Sequence, residues 1–425
     1  MYKVLRKVGS YRMSNEKVLI IAVKKADQDE ERFESSLEEA ISLTETAGGT
    51  VVKVVTQNRN QIHPATYIGD GKVDEIKEHI EELHVDLVIS NDELSAGQIR
   101  NLTSRFDVRL IDRSQLILDI FAQRAHTKEG MLQVELAQLE YMLPRLHGQG
   151  LVLSRLAGGI GTRGPGETKL ESDQRHIRRR IDDIKRKLKN VVLQRKQYRQ
   201  RRKRNNVFQI AIVGYTNAGK STIFNRLTNS ESLEENQLFA TLDPLTRQLQ
   251  LPSGFVSLIT DTVGFIQDLP TTLIAAFKST LEEVAEADFI LHIVDRSNPD
   301  FEQHQHTVHH LLEELDADTI PMLTVYNKKD LIKSEFIPSD RPYISINAFD
   351  QHDIHSLIEK IEETLKQEWN YYQFKLNPNE GRRLHQLAQN TIVTEEYFNE
   401  ELNQYIINGY IEEDHPLEGL LEEKE

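Results

Sequence analysis

The sequence predicts a multidomain α/β protein, and three observations carry that expectation. Short apolar runs alternate with charged helical stretches near the N-terminus. Two long segments then repeat apolar residues at heptad spacing, and a further apolar run leads straight into Gly214-Tyr215-Thr216-Asn217-Ala218-Gly219-Lys220-Ser221 and a helical pattern. At 425 residues the chain exceeds the roughly 100 to 200 typical of one domain. The expected layout is an N-terminal α/β domain (1–125), an antiparallel helical hairpin with a Gly-rich tip (126–206), a P-loop domain (207–367) and a small acidic C-terminal α+β module (368–425).

In the first region the order reads as strand VLIIAV, a charged helix near Glu30 to Ala47, a Gly-Gly turn, strand VVKVVT, a helix from Val73 to Leu83 and strand DLVIS. Gly69-Asp70-Gly71-Lys72 resembles a fragment of a phosphate loop but lacks the rest of the pattern, so it reads as a turn into a helix. No catalytic constellation is complete here.

The second region carries Leu132, Leu136, Leu139, Leu143 and Leu146 in one segment and Ile177, Ile181, Ile184, Leu188, Val191 and Tyr198 in the other, with Arg195 interrupting. Each seam is apolar on one side only, so folding the segments against each other buries both. The net charge of −15 would argue against a nucleic-acid partner if it were evenly spread. It is not: Glu171 to Arg204 holds fifteen Lys/Arg against four Asp/Glu, a local +11, whereas Tyr371 to Glu425 holds four basic against twelve acidic residues, a local −8. The connection Gly148 to Glu167 has seven Gly in twenty residues, with Arg155 and Arg163. Gly permits close backbone approach and Arg forks onto phosphates, so the arm suits an anionic surface such as RNA; a solvated linker on a salt-laced coiled coil is the alternative.

The third region carries the chemistry. A strand, a G-x-x-x-x-G-K-S loop and the helix from Thr222 form the context in which backbone N–H groups of Gly214 to Ser221 converge on phosphates. Lys220 adds a cation at the β/γ oxygens and Ser221 a hard oxygen ligand for Mg²⁺. Asp261-Thr262-Val263-Gly264 follows the run VSLIT, so Asp261 can hold Mg²⁺ through water while the Gly264 N–H meets the γ-phosphate; Thr241 can close over the metal. Asn327-Lys328-Lys329-Asp330 follows PMLTVY, and one carboxylate there can accept both the N1–H and the exocyclic amine of guanine, a donor pair adenine lacks. Asn347-Ala348 is the candidate base-packing segment, with Asn where Ser is usual. GTP or GDP with Mg²⁺ is thus the expected ligand set and a P-loop GTPase domain the expected fold, with Lys220, Thr241 and Gly264 as the catalytic candidates. Phe265 stands where Ras-type GTPases place a water-orienting Gln, so hydrolysis by the isolated protein should be slow. Asn217 matches a position that holds K⁺ in potassium-activated relatives; a loop-stabilising Asn is the alternative. His306 and His310 could share a helix face as metal ligands, but the run His304 to His310 reads better as a solvated face.

These motifs, together with the GGIGTRGPGETKLE loop, FATLDP, DTVGF and NKKD, resemble the HflX family of GTPases over nearly the whole chain. The resemblance implies a ribosomal partner, chiefly the large subunit and its rRNA, reached by residues 130–205, and a role in dissociating or rescuing stalled or inactive ribosomes under stress. An assembly or RNA-binding GTPase whose nucleotide cycle only controls residence is the alternative, and an N-terminal domain using ATP by itself is a third reading. The absence of Cys and of any apolar stretch near the ~20 residues that span a bilayer gives the expectation of a cytoplasmic protein without membrane insertion. A monomer is expected.

Overall fold

The structure is a computed structural model. It describes residues 15–146, 165–204, 207–229, 238–239, 241–266, 281, 283–331, 338, 340–413, 415 and 417. The chain divides into two compact units: Met1–Leu193 with Gln237–Leu242 and Gln267–Lys278, and Gln194–Asn236 with Asp243–Ile266 and Ser279–Glu425.

The first unit begins with β1 (Lys17–Lys25), α1 (Glu30–Thr46), β2 (Thr50–Arg59), α2 (Asp70–Leu83), β3 (Leu87–Ser90), α3 (Ala96–Phe106), β4 (Arg109–Asp112) and α4 (Arg113–Arg124). Its sheet is wholly parallel, in the order β2-β1-β3-β4. β1 is buried from Val18 to Val23 on both faces, as a strand covered by crossover helices must be. Gly69 caps α2 from an extended conformation and Lys72 Nζ bonds Glu75, so the Gly-Asp-Gly-Lys run is a helix start.

The arm follows as α5 (Lys128–Arg145) and α6 (Pro165–Arg204). Leu132, Leu139, Ile177, Ile181 and Ile184 form one buried seam, flanked by Leu136, Leu143, Leu146 and Leu188. Arg180 pairs with Glu135 and Lys185 with Glu140 across it. The C-terminal end of α5 is fixed to the sheet by Asp112: its carboxylate accepts from Tyr141 Oη (2.7 Å), Arg145 Nη2 (3.2 Å) and the backbone of Leu94 and Gln115. The Gly-rich tip at 147–164 lies outside the described residues.

The second unit holds β5 (Gln209–Gly214), α7 (Lys220–Thr228), β6 (Leu245–Gln250), β7 (Val256–Asp261), β8 (Phe289–Asp295), α8 (Phe301–Glu314), β9 (Met322–Asn327), β10 (Tyr343–Ser345) and α9 (Gln351–Glu368). The sheet order is β10-β9-β8-β5-β7-β6, parallel except for the edge strand β6. β5 lies between β8 and β7, which places its C-terminal end, and the loop that follows, at the centre of the sheet edge where ligands of such folds bind. Next come β11 (Asn370–Leu376), α10 (Gly381–Asn390), β12 (Ile392–Asn399) and β13 (Gln404–Ile411), an antiparallel sheet in the order β11-β13-β12. This sheet does not have a fully separate core. Trp369 and Ile392 are buried in the same cluster as Phe208, Ile212 and Leu291, and Trp369 meets the rings of Phe208 and Phe255 edge-on.

Candidate nucleotide site

The site grows from the end of β5. Gly214 leaves the strand at φ +151°, and a Cβ there would stand 2.2 Å from the carbonyl oxygen of Ile293, so the loop starts against β8 with no room for a side chain. Gly219 sits at φ +96°, with its Cβ position 2.2 Å from Asn327 Nδ2. The loop is held by Asn327, whose amide donates to Ala218 O (2.9 Å) and accepts from Ala348 N (3.2 Å). One buried side chain therefore joins the phosphate loop to the base-packing segment.

On the phosphate side, Lys220 is buried and donates to Tyr215 O at 2.7 Å. Burial pushes its pKa down to about 8, with Asp261 opposing. Ser221 Oγ donates to Asp261 Oδ2 at 2.8 Å. These adjacent hard oxygens, on a carboxylate wholly removed from solvent, fit a Mg²⁺ ion, which would neutralise phosphate charge when bound. Thr216 Oγ1, in the same loop, is buried with no hydrogen-bond partner among the described residues. Thr222 follows Ser221 in the first turn of α7 and is half-buried. A Cβ on Gly264 would lie 2.8 Å from Thr216 Cγ2 and 2.9 Å from Lys220 Nζ, so this glycine is brought against the loop as the motif requires.

Phe265 is laced to the loop by its backbone: its N donates to Gly214 O (3.2 Å) and its O accepts from Thr216 N (2.8 Å). Its ring is buried and cannot orient water. Thr241 is half-buried in the segment that groups with the first unit.

On the base side, Lys328 adopts φ +62° and its Nζ bonds Asp295 Oδ2 (2.6 Å) and Asn217 O (3.1 Å). Asn217 itself lies at φ +61°. Asp330 sits in a short 3₁₀ turn, exposed and unpaired among the described residues. The side chain of Asn347 is used in its own turn: Oδ1 accepts from Phe349 N (3.0 Å), while its backbone N donates to Asp353 Oδ2 (2.7 Å). Asp353 also holds Lys329, so Asn347 shapes the loop that presents the buried Ala348.

Two side chains beside the loop were not assigned to the site from the sequence. Phe349 stands exposed beside Ala348, with Arg226 over its ring. His304, expected on a solvated face, instead stacks on Tyr215 with ring centroids 3.7 Å apart and planes 8° from parallel; burial lowers its pKa to about 4, keeping the ring neutral. His309 is likewise half-buried, whereas His306 and His310 are exposed as expected.

Residues 34–122, 124–202 and 209–328 match family models described as a GTP-binding GTPase N-terminal region, a GTP-binding GTPase middle region and a 50S ribosome-binding GTPase. Over 410 residues the chain is 53% identical to a GTPase HflX of Alkalihalophilus pseudofirmus, covering 96% of this chain and 97% of that one. The chain belongs to the HflX family of GTPases. The Escherichia coli GTPase HflX is 41% identical over 372 residues, covering 86% of this chain and 87% of its own length. A crystal structure of a GTP-binding protein of Sulfolobus solfataricus in complex with GDP is similar at 23% identity and a TM-score of 0.46, covering 82% of this chain and 98% of that one. The protein is a GTP phosphohydrolase of a ribosome-binding family, and no described helix is long and apolar enough to cross a membrane.

The buried Lys220 gives the family's chemistry a pH signature here. Nucleotide phosphates select the ammonium form, so below about pH 8 this group adds no pH dependence. Above it the free site must take up a proton on binding, and the Kd for GTP should rise towards tenfold per pH unit. Lys220→Arg keeps its charge and should flatten that rise. Fluorescent-nucleotide titrations of both proteins between about pH 7 and pH 9 read the difference; parallel profiles would assign the dependence to another group.

Proposed function

We propose that this protein binds the large ribosomal subunit and uses GTP to dissociate or rescue stalled or inactive ribosomes in the cytoplasm. The observation that carries the reading is the combination in one chain of a guanine-selective P-loop site with a helix whose cationic face is free. Arg175, Arg178, Arg179, Lys187 and Lys189 of α6 are exposed, while the seam residues Ile177, Ile181 and Ile184 are buried. A row of unburied cations at this density fits an rRNA backbone. Residues 130–205 are the proposed contact, and the acidic C-terminal sheet is kept away from RNA by its own charge.

In the mechanism, the P-loop N–H groups and Lys220 hold the phosphates, Ser221 and Asp261 are placed to hold Mg²⁺, Thr241 closes over the nucleotide in the GTP form, and the Gly264 N–H senses the γ-phosphate. Asn217 is the candidate ligand for an activating K⁺ ion. With Phe265 buried, the water-positioning group is supplied by the ribosome or that cation. Loss of the γ-phosphate then releases the Thr241 segment, which makes GTP a timer for ribosome affinity.

Sedimentation of intact ribosomes with the purified protein tests this. With GTP, free subunits should accumulate; Thr241→Ala should bind nucleotide yet lose most of that effect. Binding confined to immature particles, with intact ribosomes left whole, would favour a GTPase of ribosome assembly instead.

A further inference from the structure

On the flank of the G sheet, three side chains converge that the nucleotide chemistry does not use. His292 lies in the middle of β8, registered between Val213 of β5 and Thr324 of β9, and is 1% exposed. His309 comes from α8, and Asp340 from the turn ahead of β10. One ligand atom from each lies within 4.8 Å of the others. The two imidazole centroids are 5.3 Å apart, and His309 Nε2 is 3.5 Å from Asp340 Oδ2, too long for a good hydrogen bond.

We infer that His292, His309 and Asp340 form a site for one transition-metal ion of the zinc or cobalt class. The strongest sign is what is left unsatisfied. His292 Nδ1 and His309 Nε2 are both buried with no hydrogen-bond partner among the described residues. Neighbouring positions of β8 are Leu291 and Ile293, so an aliphatic residue would fill the strand position without that cost.

The donor chemistry selects the ion. Two imidazole nitrogens and one carboxylate suit Zn²⁺ or Co²⁺, whereas Mg²⁺ and Ca²⁺ prefer sites built wholly of oxygen. Tetrahedral ligation at about 2.0 to 2.2 Å sets donors about 3.4 Å apart. The His309–Asp340 pair already has that spacing, and both side chains are partly exposed, at 36% and 23%, which leaves them room to close on an ion against the fixed His292. An outer contact is in place: Gln305 Nε2 donates to Asp340 Oδ2 (2.8 Å) and to Tyr326 Oη (3.2 Å), orienting the carboxylate. Three protein ligands leave a fourth position for water. An ion here would tie β8, α8 and the turn before β10 together, on the same helix whose His304 stacks on Tyr215 of the phosphate loop.

The test uses the full chain, nucleotide-free and without an affinity tag, titrated with Co²⁺ and followed by its visible d–d absorption. One saturable equivalent with nitrogen-ligand bands, displaced by Zn²⁺ and unmoved by excess Mg²⁺, is the expected result. His309→Gln and Asp340→Asn, both at partly exposed positions, should each weaken Co²⁺ binding by about 100-fold. The double substitution His306→Gln/His310→Gln on the exposed face of the same helix should leave it unchanged. Absence of a stoichiometric site, or loss of binding in the His306/His310 variant with retention in His309→Gln, would overturn the inference.

Discussion

Asp330→Asn should lower the affinity for GTP by about two to three orders of magnitude and transfer it to xanthosine triphosphate. In the proposed site the carboxylate would accept two charge-assisted hydrogen bonds from guanine, each worth about 1.5 to 3 kcal/mol, and an amide in its place would meet the exocyclic amine with a donor facing a donor. Xanthine carries a carbonyl at that ring position and keeps N1–H, so the Asn Oδ1 and Nδ2 match it. Asp330 is exposed in its turn, and none of the contacts that hold the loop, from Asn327 to Ala218 and Ala348 or from Asp353 to Asn347, passes through it. The fold should therefore survive. Competition of both triphosphates against a fluorescent nucleotide reads the exchange, and unchanged guanine preference would place base selection elsewhere.

The second large effect belongs to the arm. Replacing Arg175, Arg178, Arg179 and Lys187 together by Gln should weaken ribosome binding about 100-fold and reduce the slope of log affinity against log salt by up to about 3, because each lost phosphate contact removes about 0.7 to 0.9 from it. Gln is close to Arg and Lys in helix propensity, and the seam of Leu132, Leu139, Ile177, Ile181 and Ile184 is untouched, so circular dichroism and intrinsic GTP turnover should match the parent. Equal salt slopes would mean that these cations face solvent in the complex and that the arm is only a solvated coiled coil.

Much of the nucleotide site was legible because its chemistry constrains spacing. A loop that turns this tightly needs Gly at Gly214 and Gly219, where the structure leaves no space for a Cβ, and Asp261, the carboxylate proposed for Mg²⁺, ends a strand beside β5. The arm was legible because two one-sided seams have few ways to be buried. Other features depend on tertiary contacts that no local pattern announces. α3, β4 and α4 went unread individually, and β6 is an exposed, largely polar edge strand, LTRQLQ, with no apolar run to mark it. Trp369 and Ile392 join the core of the G sheet from a segment read as a separate acidic module. His304 was hidden in a histidine-rich helix whose apolar residues set the periodicity, and it takes the approach of Tyr215 to show which face its imidazole turns to. The unusual Asn347 was visible as a departure, but its Asx turn onto Phe349 required the backbone path.

In the function proposed above, this site completes its hydrolytic machinery on the ribosome, since the ring of Phe265 is buried at the position where a water-orienting side chain would stand. The most direct measurement is GTP turnover by the purified protein with and without large ribosomal subunits, each in K⁺ and in Na⁺. A low intrinsic rate that rises at least about 100-fold with large subunits is predicted, in line with the electrostatic contribution a partner can add to phosphoryl transfer. A fast rate that large subunits leave unchanged would contradict it, and would require a water-positioning group within this chain.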